Sequence, residues 1–313
     1  MLTRQTMGGL YVLPPTPYDS QGNLCETTYR ENLEALLEFD IDGIVSPGSN
    51  GEWWTLPDAQ RRRQMEILHE ACHGKVVTAT CCSSTDTADS IEKTRWAQEI
   101  GIDAAMNVPP FYFPLTRDEL RRYYHDVAEA CPEIGLIIYN FPIVAQRLSE
   151  DLMKQLADEL PTLCGSKESH LDYSVWLRLH RNSGLVVMSA VERIWFTSCM
   201  KQGAKGMFSV LSASVPGLIR SLYAACREQD WETADDLEKH VWQLAELVEN
   251  RDYLEPYNRI AVNKALVDAC GWLRGGHCRA PLISVPDELV RRLREDLEPV
   301  AGTWLAPARQ MAT

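Results

Sequence analysis

The stretch Thr162-Leu-Cys-Gly-Ser-Lys-Glu-Ser-His170 decides the fold. It opens as a short apolar run, ends that run on Lys167, and lies between amphipathic stretches at 149–159 and 172–182. A strand-length apolar run between helical-period segments reads as a strand of a parallel sheet buried on both faces. The same alternation extends in both directions. Further strand-length runs lie at 9–14, 42–47, 75–81, 104–109, 135–140, 185–190 and 205–210. Helix-like stretches at 27–38, 57–73, 84–99, 116–130, 192–202 and 214–227 complete the pattern. Eight β/α units within residues 9–227 favour an α/β fold closed as a (β/α)8 TIM barrel over an open sheet. Thr116-Arg-Asp-Glu119 and Ser149-Glu-Asp-Leu152 place a hydroxyl before acidic first-turn residues, as helix N-caps do. Residues 229–303 read as further helices, with Pro281 and Pro286 bracketing the turn before the last, and the residues from Ala306 read as a loose tail. The expected division is a catalytic barrel over 1–228 and a C-terminal helical subdomain and tail over 229–313.

The chain has 313 residues, 45% hydrophobic, which is enough for one large core with an appendage. Its net charge of −13 and the lack of any basic block argue against nucleic acid or an anionic membrane as partner. No apolar run approaches the roughly 18–20 residues that span a bilayer, and Met1-Leu-Thr-Arg-Gln-Thr-Met7 lacks the apolar core of a secretion signal. The ten cysteines have no regular spacing and read as reduced, small buried residues of a cytoplasmic protein.

Lysine is scarce, eight against 23 arginines, and most of the other lysines fall on polar helical stretches or in turns. Lys167 ends an apolar strand instead. An ammonium there is costly unless paired, and desolvation favours the neutral amine, which can attack a ketone to form a Schiff base. The competing reading is a core lysine paired with a neighbour such as Glu168. In a barrel of this kind chemistry gathers at the C-terminal ends of strands. Lys167, Tyr139 with Asn140, the turn Gly48-Ser-Asn-Gly-Glu52, and Pro109-Pro-Phe-Tyr112 all fall at such ends. The turn has backbone N–H groups able to hold a carboxylate, although by itself it is also an ordinary βα turn. Tyr139, one strand from Lys167, is either a proton shuttle or a core tyrosine with a satisfied hydroxyl. His69-Glu-Ala-Cys-His73 matches the His-Glu-Xaa-Xaa-His zinc pattern. Its helix ends at once at Gly74, pointing to the stability face of a barrel, with no third ligand evident, so a surface helix and no metal is expected.

Taken together, Gly-Ser-Asn-Gly-Glu at 48–52, Pro-Phe-Tyr at 110–112, Tyr-Asn-Phe-Pro at 139–142 and Gly-Ser-Lys-Glu at 165–168 resemble the dihydrodipicolinate synthase and N-acetylneuraminate lyase superfamily of class I aldolases. The resemblance covers about residues 8–295. It implies that Lys167 forms the Schiff base with pyruvate or another 2-oxo acid, and that Tyr139 relays protons with Ser49 hydrogen-bonded to it. It implies that Asn50, where the family more often has threonine, and the adjoining backbone at Gly51 hold the pyruvate carboxylate. Tyr112 matches a tyrosine donated across a subunit interface, which implies a homo-oligomer, a dimer or dimer of dimers. No cofactor beyond the covalent imine and no metal is implied.

Departures from the family pattern narrow the substrate. Dihydrodipicolinate synthases usually carry an arginine shortly after the tyrosine motif, where this chain has Val144. Sugar-cleaving relatives line the distal pocket with hydroxyls and acids, whereas here only Glu192 stands in the comparable place. Trp53 and Trp54, with Phe111 and Phe208, suit a flat apolar acceptor, unless the tryptophans merely pack between barrel and helices. The segment Asn263–Leu282, with Gly271-Trp-Leu273 and Cys278-Arg-Ala-Pro281, resembles the hydratase-aldolases that cleave trans-o-hydroxybenzylidenepyruvate-type substrates to an aromatic aldehyde and pyruvate. Pro15-Thr-Pro17 and Tyr123-Tyr-His-Asp-Val-Ala128 resemble that subgroup too, whereas Tyr139-Asn140 is closer to the general superfamily. His170 is either a hydrogen-bonder of the fold or a residue facing the acceptor. The expectation is a Schiff-base-forming carbon–carbon lyase, a hydratase-aldolase that cleaves an aryl-substituted 2-oxobut-3-enoate to an aromatic aldehyde and pyruvate, so that its partners are a small-molecule 2-oxo acid and aldehyde. The alternatives are an aldolase or dehydratase for a sugar-derived 2-oxo acid, with Glu192 binding hydroxyls, and a barrel that binds a small acid without turnover.

Overall fold

The computed structural model describes residues 1–307. Eight parallel strands close into a barrel in strict chain order. They are β1 (Gly9–Val12), β2 (Gly43–Val45), β3 (Val77–Cys81), β4 (Ala104–Asn107), β5 (Gly135–Asn140), β6 (Leu163–Glu168), β7 (Val186–Ser189) and β8 (Gly206–Ser209). Helices α1 (Glu26–Leu37), α2 (Asp58–Cys72), α3 (Thr87–Ile100), α4 (Arg117–Ala130), α5 (Glu150–Glu159), α6 (Tyr173–Asn182), α7 (Glu192–Lys201) and α8 (Pro216–Glu228) alternate with them along the chain. Then come α9 (Trp231–Glu249), α10 (Arg259–Cys270) and α11 (Asp287–Ala301). This is the expected TIM barrel with additional C-terminal helices. Several strands stop short of their apolar runs because Pro14, Pro47 and Pro109 follow β1, β2 and β4 and cannot donate to the ladder. β6 runs one residue past Lys167, to Glu168. Among the described residues no helix is long and apolar enough to cross a membrane.

The chain divides into two compact units. The first comprises Met1–Tyr11, Asp42–Val45 and Cys72–Phe208, and so holds nearly all of the strands together with α3–α7. Its strands are buried along their whole length except at the start of β3. Close approach dictates two of its glycines. A Cβ on Gly165 would meet the Val186 carbonyl oxygen at 2.2 Å, and one on Gly43 would meet the Tyr11 ring at 2.8 Å. Tyr11 in turn meets Phe208 edge to face at 5.4 Å. Arg4 ties the N-terminal segment to the start of β6, its guanidinium donating to the carbonyls of Leu163 (2.7 Å) and Leu160 (2.9 Å). Thr116 caps α4 in a reciprocal capping box with Glu119, and Ser149 caps α5 through the Leu152 N–H, as their spacing predicts.

The second unit comprises Val12–Ile41, Ser46–Ala71 and the chain from Ser209 on. It holds α1, all of α2 but its last residue, and α8–α11. Its C-terminal end corrects the expected tail. Leu305 and Ala306 are buried, and Ala306 donates to the Cys270 carbonyl (2.9 Å) and accepts from Arg294 (3.0 Å). Trp272 adds a bond from its indole N–H to the Trp304 carbonyl (2.7 Å). The chain is thus anchored through Ala306 by backbone bonds its composition does not advertise, and the rest of the expected tail, 308–313, lies outside the described residues.

Candidate active site

In the first unit the register of β5 against β6 pairs Tyr139 with Lys167 and Asn140 with Glu168. Because side chains alternate along a strand, the two pairs face opposite ways. Lys167 is 4% exposed, and its Nζ lies 3.7 Å from the centre of the Tyr139 ring and 5.9 Å from that of Phe208. It donates to Ser169 Oγ at 3.3 Å. Tyr139 stacks on Phe141 at 5.2 Å with the rings 3° from parallel. An amine is thus held in a nearly dry pocket of aromatic rings with a phenol at its side, an arrangement suited to a nucleophile with its proton relay.

Glu168 is not the ion-pair partner that the competing reading of Lys167 required. Its carboxylate is fully buried and accepts from Asn140 Nδ2 at 3.1 and 3.3 Å. Burial raises its pKa to about 7, against the lowering effect of hydrogen bonds from Ser166 and Asn140. Asn140 Oδ1 accepts from the Leu148 N–H at 3.0 Å, which pins the far end of the loop after β5. Asn140 was expected at the substrate; instead its amide is engaged on the face of β5 away from Tyr139, because strand alternation sends neighbours to opposite sides.

The loops after β4, β5 and β6 in this unit carry exposed apolar side chains: Tyr112 (80% exposed), Phe113, Ile143, Val144 and Leu171. Tyr112 packs edge-on to Phe113, with ring centres 5.1 Å apart. His170 is half-buried; burial lowers its pKa, and the positive charge of Arg147 adds to the effect. Glu192 is buried in the first turn of α7, and Phe208 is buried in β8.

The second unit carries the turn Gly48–Glu52. Ser49–Gly51 form one turn of 3-10 helix, and Glu52 follows in the left-handed region at φ 58°. Asn50 Nδ2 donates to the Leu13 carbonyl (3.2 Å), and Asn50 Oδ1 accepts from Asn263 Nδ2 (3.0 Å). The Tyr18 hydroxyl donates to the Gly51 carbonyl (2.9 Å). Glu52 is fully buried, with Oε1 2.6 Å from Lys264 Nζ and Oε2 accepting the Arg279 N–H at 2.7 Å. Among the described residues the backbone N–H of Asn50 has no partner. Trp53 is buried beneath the Arg61 guanidinium, 5.0 Å from the ring centre, whereas Trp54 is exposed. In α2, Glu70 of the His-Glu-Xaa-Xaa-His stretch pairs with Arg30 and Arg63. Among the described residues no group of three or more His, Cys, Asp or Glu side chains is disposed to hold a metal ion.

The model of the dihydrodipicolinate synthetase family matches residues 6–299. The chain belongs to that family. It is 29% identical over 287 residues to a 4-hydroxy-tetrahydrodipicolinate synthase of Methanopyrus kandleri, covering 90% of this chain and 93% of that one. The dihydrodipicolinate synthase structure from Aquifex aeolicus superposes with a TM-score of 0.85 at 25% identity, covering 96% and 100% of the two chains. A sialic acid aldolase catalytic lysine mutant from Ruminococcus gnavus shares the fold with a TM-score of 0.87 at 21% identity, covering 97% and 100%. This family member is a lyase of the class I pyruvate aldolase type. The family's chemistry runs through a covalent Schiff base between an enzyme lysine and pyruvate, with no external cofactor.

Sequence reading of this lyase overlooked Lys264, only 2% exposed and as buried as Lys167. The signal was present: Lys264 interrupts Ile260-Ala-Val-Asn-Lys-Ala-Leu-Val267, a helix with apolar residues on nearly every side. The rule that flags Lys167 applies equally there.

Proposed function

We propose that this lyase cleaves an aryl-substituted 2-oxobut-3-enoate to an aromatic aldehyde and pyruvate, as a hydratase-aldolase. The observation that carries the Schiff-base part is the Lys167–Tyr139 pair on adjacent strands, amine over phenol ring at 3.7 Å in a buried setting. The aryl part is supported by Val144 at the position where a second carboxylate would need an arginine. It is supported also by the apolar side chains of Tyr112, Phe113, Ile143 and Val144 and by the Gly271-Trp-Leu273 and Cys278-Arg-Ala-Pro281 segments.

The reaction follows from these groups. The Lys167 amine adds to the C2 ketone, and the carbinolamine loses water as Tyr139 transfers the proton. The resulting iminium withdraws electrons through the conjugated alkene, so water adds at the benzylic carbon. The enamine so formed takes a proton at C3, which restores the iminium. Retro-aldol cleavage of the C3–C4 bond, with loss of the C4 hydroxyl proton, then releases the aldehyde and leaves a pyruvate enamine, which takes a proton at C3. Hydrolysis then returns pyruvate and free Lys167. We assign Ser49 to the proton relay, and Asn50 with the backbone through Gly51 to the carboxylate. Asn50's N–H is unpartnered, as a carboxylate donor must be before substrate arrives. Trp53, Val144, His170, Glu192 and Phe208 are assigned to the acceptor, and Tyr112, so exposed in a single chain, to a partner subunit's site in a dimer or dimer of dimers.

The test is borohydride reduction in the presence of pyruvate, with peptide mapping, followed by a screen for pyruvate release from benzylidenepyruvates and sugar-derived 2-oxo acids. A pyruvate increment on Lys167 and release from the aryl substrates support the proposal. Release from the sugar acids alone replaces the aryl reading with a sugar-acid aldolase in which Glu192 binds hydroxyls. An unmodified Lys167 in folded protein removes the Schiff-base assignment.

A further inference from the structure

The Gly48–Glu52 turn is held by more than its own backbone. Asn50, Gly51 and Glu52, three consecutive residues, are each gripped by a side chain from elsewhere in the second unit: Asn263, Tyr18 and Lys264 respectively. Asn263 and Lys264 are neighbours on α10. The Lys264 ammonium also donates to the His277 carbonyl and lies 4.6 Å over the Tyr18 ring, the same ring whose hydroxyl bonds Gly51. Both charges are essentially out of solvent, at 2% and 0% exposure. Two buried charges lose much hydration, and an apolar pair of equal volume is often as stable or more so. Fold stability alone therefore does not account for the pair. Its geometric effect is specific: it holds Glu52 at a positive φ that a non-glycine residue rarely adopts, and so fixes the path of the turn from Ser49 onward.

We infer that Lys264 is a positioning residue, its ion pair with Glu52 fixing the turn in the conformation that receives the substrate carboxylate. The inference rests on the assignment of that turn to the carboxylate. On this account α10 sets the affinity for the 2-oxo acid while the chemistry remains with Lys167. Loss of the pair weakens ground-state binding without removing a group that touches the reacting atoms.

The test is a pyruvate titration of borohydride trapping on the full chain. Removing one charge alone strands the other in the core, so the informative variant is the double one, Glu52→Gln with Lys264→Met. The introduced glutamine still accepts from the Arg279 N–H, and the methionine fills the lysine's volume. The expected result is a rise of about tenfold in the pyruvate concentration for half-maximal trapping, the effect of a mispositioned donor to a charged group. Maximal trapping on Lys167 stays within about twofold of wild type, because an interaction made equally in ground and transition states changes binding alone. Lys264→Arg, which keeps a cation beside Glu52 but with a different reach and geometry, is expected to raise the half-saturation about threefold, and it decides the matter if the double variant does not fold. An unchanged half-saturation in the folded variant, or a fall in maximal trapping without a change in half-saturation, overturns the inference and leaves the Lys167 assignment standing. Failure of the wild-type chain to trap pyruvate overturns both.

Discussion

At the scale of single residues the two central assignments carry separate consequences. Lys167→Ala is expected to abolish trapping and pyruvate release while the thermal unfolding curve stays close to wild type. Retained turnover in that variant, measured by coupled pyruvate assay, would sink the Schiff-base reading. Tyr139→Phe keeps the ring over Nζ and removes only the hydroxyl, so turnover is expected to fall roughly 10²- to 10⁴-fold. Glu168 makes a prediction about stability instead. Its carboxyl titrates at about 7 in the fold against an ordinary 4.5, because burial disfavours the anion. The folded chain thus binds this proton more tightly than the unfolded chain does. Stability from this group is intact below pH 4.5, falls as pH rises toward 7, and loses at most about 3 kcal/mol in all. Glu168→Gln, which still accepts from Asn140, is expected to melt at a higher temperature than wild type at pH 8 and to show no such gain at pH 4. Equal melting differences at both pH values would remove the assignment.

At the scale of elements, β6 concentrates the constraints. Gly165 lets β6 approach β7, since any side chain there would collide with the Val186 backbone at 2.2 Å. Gly165→Ala must push two strands apart and is expected to cost about 3 kcal/mol, the upper range for overpacking. Chemical denaturation at fixed pH checks this, and a cost below about 1 kcal/mol would mean the strands yield easily. The alternation of strands and helices was legible in the sequence because each element buries a surface with its own period. The lysine stood out for a related reason, as a charged group ending an apolar run, whereas Tyr139 alone read also as a core tyrosine and gained its proposed role from the resemblance. What escaped was direction and partnership. Asn140 looks like a continuation of the site in sequence and Glu168 like a partner for Lys167, yet alternation turns both to the opposite faces of their strands, where they meet each other. Lys264 and Glu52 are far apart in the chain, and no local pattern marks them as partners. The anchoring at Ala306 depends on backbone bonds that any residue type could make.

At the scale of the whole molecule, the helices beyond the eighth β/α unit are bound up with residues near the start of the chain. Asn263 meets Asn50 across 213 positions and Arg279 meets Glu52 across 227. The oligomeric proposal belongs at this scale too: light scattering is expected to give a mass of two or four chains, and Tyr112→Ala to lower turnover without unfolding the protomer. A strictly monomeric, fully active enzyme would withdraw Tyr112 from the site. The long separation of Glu52 from its partners also has a temporal meaning. A ribosome adding roughly 5–20 residues per second needs about 10–40 s to travel from Glu52 to its counter-ion Lys264. Throughout that interval the nascent chain holds a glutamate without its counter-ion and the Gly48–Glu52 turn without its brace. Chains arrested before α10 are expected to be easily cleaved by protease near residues 48–55, and chains released after Ala306 to be protected there. If the turn receives the carboxylate as proposed, it can grip a 2-oxo acid only once α10 has been made.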